Sequence, residues 1–221
     1  MGRRTVVWTV RNSAYPFEGR RVMNYDSVYF DSVDLQLFRS HQQGRRCRFK
    51  VRIRTYADSG ARFVEVKTKS GRGETVKHRM PYPDGPRTAL DESAADFVQS
   101  VIREQYATTA PPLHAMLDSV YHRATLVDPA AGERLTCDVD LRWSTSDGDF
   151  VVGPDRVLLE SKTTNRGRVD GILAAWGIRP LSMSKYPIGT ALLRPELAAN
   201  RWNRLLRREF GWQRAVLRGT R

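Results

Sequence analysis

The sequence predicts an α+β fold in which about eight antiparallel strands form a barrel around a tunnel, with helices packed outside. Three observations lead to this prediction. Much of the chain consists of β-branched and aromatic residues that alternate with polar ones, which is the period of a strand. Arginine and lysine recur at alternate positions in these segments, so they share one face. At least one amphipathic helix interrupts the strands, and its apolar side needs a sheet to pack against.

The first half of the chain contains four predicted strands, over residues 25–30, 48–56, 63–69 and 75–80. A short helix or turn is predicted over 33–38, beginning at Asp31 or Ser32. The glycine-rich link 70–73 predicts a hairpin between the third and fourth strands. These two strands are therefore expected to be antiparallel.

The second half begins with a helix, because apolar residues between 90 and 102 recur at helical spacing behind a cap at Thr88 or Asp91. Three strands follow, over 115–126, 134–143 and 157–162, separated by turn formers such as Asp128 and Pro129. A helix is predicted over 169–176, and 186–193 shows no clear pattern. Residues 195–221 are predicted to form a basic helix, to about Phe210, and a tail, so 1–221 is expected to be one domain.

Composition limits the functional classes. The 221 residues include 37 Lys and Arg against 24 Asp and Glu, a net charge of +13, which indicates a polyanionic partner: nucleic acid, an anionic membrane or a phosphate polymer. No apolar stretch approaches the roughly 18 residues of a membrane span. Cys47 and Cys137 are too few and too far apart for a zinc site or a disulfide framework. No signal peptide follows Met1, so a cytoplasmic location is expected.

The charged residues within the strands form rows, and two geometries explain them. The rows are Arg48, Lys50, Arg52 and Arg54; Glu65 and Lys67; Lys77 and Arg79; Tyr121 and Arg123; Arg134, Thr136, Asp138 and Asp140; and Glu160 and Lys162. In the first geometry each row faces water. In the second, the rows converge inside a curved sheet while the intervening residues, mostly apolar, pack outward.

Converging cations repel one another unless a counter-charge is present, so the second geometry predicts a polyanionic ligand. Arginine suits phosphate because its planar fork pairs two oxygens at once. The acids in the rows also have two explanations. They pair with the neighbouring cations, or they present oxygen ligands to Mg²⁺ or Mn²⁺.

Eight short motifs, taken in order, resemble the VTC domain of polyphosphate polymerases, within the triphosphate tunnel metalloenzyme superfamily. They are Ser27-Val-Tyr-Phe-Asp31, Lys50-Val-Arg-Ile-Arg-Thr-Tyr56, Val64-Glu-Val-Lys67, Val76-Lys-His-Arg79, Tyr121-His-Arg123, Arg134-Leu-Thr-Cys-Asp138, Leu159-Glu-Ser-Lys162 and Ser184-Lys-Tyr186. The resemblance spans residues 25–189. It implies a polymerase that passes the γ-phosphoryl group of a nucleoside triphosphate to a polyphosphate chain, although relatives hydrolyse triphosphate or polyphosphate instead.

The resemblance and the charged rows together predict the site residues. The predicted catalytic residues are Arg52, Arg54, Lys67, Arg123, Arg134 and Glu160. The predicted phosphate-binding residues are Arg52, Arg54, Lys67, Lys77, Arg79, Tyr121, Arg123, Arg134, Lys162, Ser184 and Lys185. A divalent metal, Mn²⁺ or Mg²⁺, is predicted at Glu160, with Glu65 and Asp138 as further ligands.

One family feature is missing from the sequence. The family begins with a strand that carries a glutamate and a lysine, whereas residues 1–24 contain Thr5-Val-Val-Trp-Thr-Val10 and a single glutamate, Glu18. The first strand is therefore expected to be lost or replaced, which motivates an alternative function as a non-catalytic polyphosphate-binding module. Binding to a specific nucleic acid is not expected, and the prediction allows association with a membrane partner protein.

Overall fold

The computed structural model describes residues 4–11, as backbone alone, together with 22–153, 156–163 and 167–213. The described strands form one antiparallel sheet. They are β1 (Arg4–Arg11), β2 (Val22–Asp31), β3 (Arg48–Tyr56), β4 (Ala61–Lys69), β5 (Thr75–Pro81), β6 (His114–Asp128), β7 (Glu133–Ser144), β8 (Phe150–Val152) and β9 (Arg156–Thr163). The short strand β8 follows the turn at Gly148 and is the one strand of the second half that the sequence did not predict.

The order across the sheet is β1-β9-β7-β6-β2-β3-β4-β5, with β8 paired to β7. Strands from both halves of this order line one cavity, so the sheet curves around it. The predicted α+β class and antiparallel sheet are confirmed. Within the described part of the chain, no backbone pairing joins the edge strands β1 and β5, so the curved sheet is not a hydrogen-bonded ring.

The first strand is present with other residues, so of the two expectations for it, loss is wrong and replacement agrees with the structure. β1 pairs with β9 along its whole length, from Arg4 opposite Thr163 to Arg11 opposite Arg156. Its sequence is rich in valine and threonine, residues that favour strands. The family's glutamate and lysine are absent from this segment, so the strand is kept with different residues.

Five helices lie in the described residues: α1 (Gln36–Gln42), α2 (Glu92–Tyr106), α3 (Arg168–Ala175), α4 (Lys185–Leu193) and α5 (Asn203–Phe210). Asp91 caps α2 as predicted, since its carboxylate accepts a hydrogen bond of 2.9 Å from the backbone N–H of Ala94. The predicted helix from residue 195 begins later, because Pro195 starts a turn and a 3-10 turn, Asn200–Trp202, precedes α5. The predicted tail from 214 onward lies outside the described residues.

Apolar cores lie on both faces of the sheet, and a third, smaller cluster joins β6, β7 and β9 to α3. On the outer face, β2, β3 and β4 pack against α2, as predicted for helices outside the barrel. On the cavity face, α4 packs among aromatic residues, and Tyr186 stacks on Tyr29 with ring centroids 5.3 Å apart. The helix α4 therefore lies on the inner side of the sheet, which the sequence did not predict. In the described part of the chain no helix combines the length and the apolar character needed to cross a bilayer.

Asp31 fixes α1 and α4 to the end of β2. Its buried carboxylate accepts hydrogen bonds from the backbone N–H groups of Ser32 (2.7 Å), Leu37 (2.8 Å) and Phe38 (2.8 Å), and from the hydroxyl of Tyr186. Burial raises the pKa of Asp31, and these hydrogen bonds oppose the rise. The first helix was predicted to begin at Asp31 or Ser32. In the structure Asp31 accepts hydrogen bonds from the first turn of α1.

We expect Asp31→Asn to lower the free energy of unfolding by about 2 kcal/mol, because an amide oxygen replaces a carboxylate that accepts five hydrogen bonds. Urea unfolding followed by circular dichroism measures the change. Asp84→Asn, at an exposed loop position, serves as the matched control and is expected to have no effect. Equal stability of the two variants would contradict this role for Asp31.

Candidate functional site

The curved sheet encloses a cavity of about 1000 Å³ whose wall is dominated by cations. The chain has six lysines, and five of them line this cavity. The charged residues of the wall are Lys50, Lys67, Lys77, Lys162, Lys185, Arg52, Arg54, Arg72, Arg123, Arg134, Glu65, Glu74 and Glu160. We call this space the cationic cavity. Its described wall carries ten cations against three carboxylates, which leaves a large positive excess.

Strand register explains why these residues meet. Arg52 lies opposite Glu65, and Lys50 lies opposite Lys67, across the β3–β4 pair. The residues between them, such as Val51 and Val66, are buried in the outer core against α2. Of the two geometries that the sequence allowed, the described strands therefore adopt the second, in which the charged rows face inward.

Asp140 departs from its predicted row. A β-bulge interrupts the β6–β7 pair between Val120 and His122, and Asp140 adopts a left-handed backbone with φ of 52°. The bulge shifts the alternation, so Asp140 is exposed and accepts a hydrogen bond of 2.8 Å from His122 Nδ1. The prediction that Asp140 shares the inner face with Asp138 is wrong for this reason.

Glu65 is a counter-ion for three cations. Arg52 donates to Glu65 Oε2 from Nε (2.8 Å) and from its terminal amino group (2.6 Å), Arg54 Nε lies 4.0 Å from the same oxygen, and Lys77 pairs with Oε1. Burial alone would raise the pKa of Glu65, but Arg52, Arg54 and Lys77 lower it to about 2. Of the two explanations for acids in the rows, Glu65 therefore shows pairing with cations.

Asp138 is likewise a counter-ion, for two cations contributed by β6 and α4. The Nε and the terminal amino group of Arg123 donate to its two oxygens at 2.5 and 2.8 Å, and Lys185 donates to one of them. The side chain of Asp138 is 2 % exposed and does not line the cavity. Burial would raise the pKa of Asp138, but Lys185 and Arg123 lower it. Asp138 thus orients two cations whose other faces are open to the cavity.

Glu160 differs from both, because its carboxylate is 24 % exposed and lines the cavity, and its one ion-pair partner among the described residues is Lys162, at 3.1 Å. Burial would raise its pKa, but Lys162, Lys185 and Arg123 lower it to about 2. Glu160 is therefore ionised at neutral pH and able to offer oxygen ligands.

The three carboxylates predicted to bind a metal are not brought together. In the described part of the chain, no group of three His, Cys, Asp or Glu side chains is close enough to hold a metal ion. Glu65 and Asp138 are each occupied by two or more cations, which disfavours a metal ligand role for them. Glu160 fits a different kind of metal site, in which one carboxylate holds Mg²⁺ or Mn²⁺ together with substrate phosphates and water.

Four cations of the wall have no carboxylate partner at ion-pair distance among the described residues: Lys50, Lys67, Arg72 and Arg134. The Nε of Arg134 is buried without a hydrogen-bond partner there. Burial lowers the pKa of Lys67, and Glu160 opposes this effect. Because converging cations repel one another unless a counter-charge is present, these four positions are where an anion would stabilise the protein most.

The remaining predicted residues take different places. Ser184 lines the cavity, and its hydroxyl accepts a hydrogen bond of 2.6 Å from Lys50. Tyr121 is buried behind the wall, where its hydroxyl accepts a hydrogen bond of 2.8 Å from Arg54. Arg79 stacks at 3.3 Å from the centre of the Phe63 ring and does not line the cavity. Tyr121 therefore supports a phosphate-binding candidate, and Arg79 lies away from the cavity wall.

Two cations of the wall were missed by the sequence reasoning. Arg72 lies in the β4–β5 hairpin, where a loop position gave no alternation to interpret. Lys50 belongs to the same row as Arg52 and Arg54, so the signal was present, but no site role was assigned to it.

Comparison with known proteins gives one family and several structures. Residues 7–194 match the VTC domain. A candidate adenylyl cyclase from Hippeastrum, whose structure is described as revealing a dominant triphosphatase activity, has a TM-score of 0.54 and 14 % identity, covering 86 % of this chain and 95 % of that one. A candidate adenylate cyclase from Bacillus halodurans has a TM-score of 0.45 and 14 % identity, covering 83 % and 96 %. Comparison with curated proteins gave no match.

Proposed function

Because this chain belongs to the VTC domain family, we propose that it is a polyphosphate polymerase-like enzyme, which transfers the γ-phosphoryl group of a nucleoside triphosphate to a polyphosphate chain in the cationic cavity. The observation that carries the proposal is the imbalance of the cavity wall, with ten cations against three carboxylates, and with four of those cations lacking a carboxylate partner in the described residues. A flexible chain of phosphates has the charge density to neutralise such a wall.

Phosphoryl transfer needs positioning and charge neutralisation more than covalent chemistry. Arg52 and Arg54 are held by Glu65 with donors left over, and Arg123 and Lys185 are held by Asp138 in the same way. These preoriented donors would bind phosphate oxygens along the cavity, and charge that develops on the transferred group would be stabilised by the same groups.

The unpaired cations Lys67 and Arg134 lie on different strands, β4 and β7, and would bind the phosphate chain from two sides. Glu160 and Lys162 stand side by side on β9. A Mn²⁺ or Mg²⁺ ion held by Glu160 would supply further neutralisation of the phosphate oxygens when bound. Lys162, 3.1 Å from Glu160, would then be free to bind a phosphate oxygen.

Hydrolysis of triphosphate or polyphosphate is the second candidate. Polymerisation and hydrolysis need the same phosphate-binding residues. They differ in the group that accepts the phosphoryl group, which is a phosphate chain in the first reaction and water in the second. The fold likeness to the Hippeastrum protein, with its described triphosphatase activity, favours keeping this candidate. A cytoplasmic location and a membrane partner protein remain predictions from the sequence.

The test is to incubate the purified chain with ATP and Mn²⁺, with and without a short polyphosphate primer, and to follow both chain length on gels and released phosphate. Chain growth would support the polymerase, and release of phosphate without growth would support the hydrolase. Tight, metal-independent polyphosphate binding without turnover would instead identify a non-catalytic binding module. RNA that binds equally well without competing with polyphosphate would remove the basis of the proposal.

A further inference from the structure

Lys50 is a cavity lysine to which the proposed function assigns no individual role. It is half-buried in the wall formed by β3, directly opposite Lys67 on β4. In the described part of the chain no carboxylate pairs with it. Its ammonium nitrogen lies 2.6 Å from the hydroxyl oxygen of Ser184, just before α4. Lys50 therefore has a neutral partner and a like-charged neighbour.

The charged and titratable groups that face Lys50 come from four elements: Arg48 and Arg52 on β3, Lys67 on β4, His41 on α1 and Glu160 on β9. Burial, followed by Lys67, Arg52 and Arg48, lowers the pKa of Lys50 to about 7, with Glu160 opposing. His41 is held neutral, because burial and the charge of Lys50 lower its pKa to about 2. The net surroundings of Lys50 are thus positive.

These surroundings change when phosphate enters. A phosphate group beside Ser184 would place two or more negative oxygens near Lys50, and an opposite charge at this distance favours the protonated amine. The hydrogen bond that results joins two charged groups and is stronger than the one Lys50 donates to the neutral hydroxyl of Ser184.

We propose that Lys50 is a further phosphate-binding residue, which accepts a proton from solvent when a phosphate group enters the cationic cavity beside Ser184. The step forms a hydrogen bond and adds one proton to the amine, and no covalent bond of the ligand breaks. The inference rests on the phosphate-binding half of the proposed function and does not depend on turnover.

The proposal is tested by measuring the protons that the protein takes up when it binds phosphate. Isothermal titration of the full chain with tripolyphosphate, without metal, in two buffers of different ionisation enthalpy reports the number of protons taken up on binding. Near pH 6 Lys50 is mostly charged already, so it should contribute little uptake. Near pH 8 it is mostly neutral, so it should contribute close to one proton, as follows from a pKa of about 7.

The variant is Lys50→Met, which keeps the length of the side chain and removes its charge. We expect it to bind tripolyphosphate about tenfold more weakly near pH 7. We also expect it to lose the pH-dependent part of the proton uptake. Subtracting its uptake from that of the original chain removes the titration of tripolyphosphate itself, which is common to both. Circular dichroism establishes that the variant is folded.

Lys69→Met is the matched control. Lys69 lies on β4, two positions from Lys67, and does not line the cavity. It should therefore leave both affinity and proton uptake unchanged. Lys50→Arg, which keeps a charge that does not titrate, should bind tripolyphosphate without the extra proton.

The outcomes separate the two proposals. Unchanged affinity and unchanged proton uptake in Lys50→Met would overturn the role of Lys50 while leaving the proposed function standing. The same loss of uptake in Lys69→Met would overturn it as well, because the proton would then follow the overall charge. No binding of tripolyphosphate by the original chain would instead refute the proposed function itself.

Discussion

Replacing Glu160 with glutamine will reduce metal-dependent turnover of nucleoside triphosphate by about 10³-fold and will tighten metal-free binding of tripolyphosphate. The loss follows because Glu160 is the one predicted metal ligand that keeps a partly exposed carboxylate facing the cavity in the described structure. The gain in binding follows because the substitution removes a negative charge from a site that receives polyanions. Initial rates across a Mn²⁺ titration, with calorimetry in chelator, measure the two effects.

Asp140→Asn is the control for Glu160→Gln. It makes the same carboxylate-to-amide change on the neighbouring strand β7, but the side chain lies on the outer face and pairs with His122. We expect it to turn over normally. If Glu160→Gln kept its metal dependence and its rate, the cavity would have to hold its metal without this carboxylate, and the assignment of Glu160 would be wrong.

That Arg52 and Arg54 share one face could be predicted from the sequence, because strands alternate with a period of two and one residue fixes the direction of its neighbours at i+2. The alternation left the inward and outward directions open, and the resemblance implied that these residues and Lys67 line the tunnel. Asp140 shows where this reasoning ends. A single bulged residue reverses the alternation, and no residue type announces the bulge in the sequence.

The first strand shows a different limit of the sequence. Its valines and threonines favour a strand, but the absence of the family's charged motif leaves loss and replacement of the strand as alternatives. The backbone pairing of β1 with β9 does not require those side chains. A family pattern thus combines residues that specify the fold with residues that specify the chemistry, and one set is kept here without the other.

Which carboxylate neutralises which cation could not be predicted. Glu65 and Arg52 are cross-strand neighbours, so their pairing follows once the register is known. The contact between Asp138 and Lys185 joins residues 47 apart in the chain and depends on where α4 packs inside the sheet. Because that packing is tertiary, the sequence left pairing and metal binding as equal alternatives for Asp138 and Glu65.

Glu65→Gln is expected to be the most destabilising of the charge substitutions, lowering the free energy of unfolding by about 3 kcal/mol near pH 7. The side chain is 2 % exposed and opposes Arg52, Arg54 and Lys77, so its loss leaves three neighbouring cations without their counter-ion. Urea unfolding measures the change, and Glu104→Gln, an exposed position on α2, is the control with no expected effect.

The pH dependence of this effect has a definite sign. The pKa of Glu65 is lowered from 4.5 to about 2 in the folded protein, so its stabilising contribution is fully present above about pH 4.5 and is lost as the pH falls towards about 2. The difference between the original chain and Glu65→Gln should shrink over that same interval. A difference that stays constant down to about pH 2 would show that the carboxylate charge is not what stabilises the three cations.

Tripolyphosphate should partly replace the missing carboxylate in Glu65→Gln. A ligand that binds only the folded state stabilises it in proportion to its affinity. Because the variant has one more unneutralised positive charge in the wall, it should bind the polyanion more tightly than the original chain does. Its melting temperature should therefore rise further on addition of tripolyphosphate. An equal rise in both proteins would mean that Arg52, Arg54 and Lys77 do not bind the ligand, and that their role is to hold the sheet together.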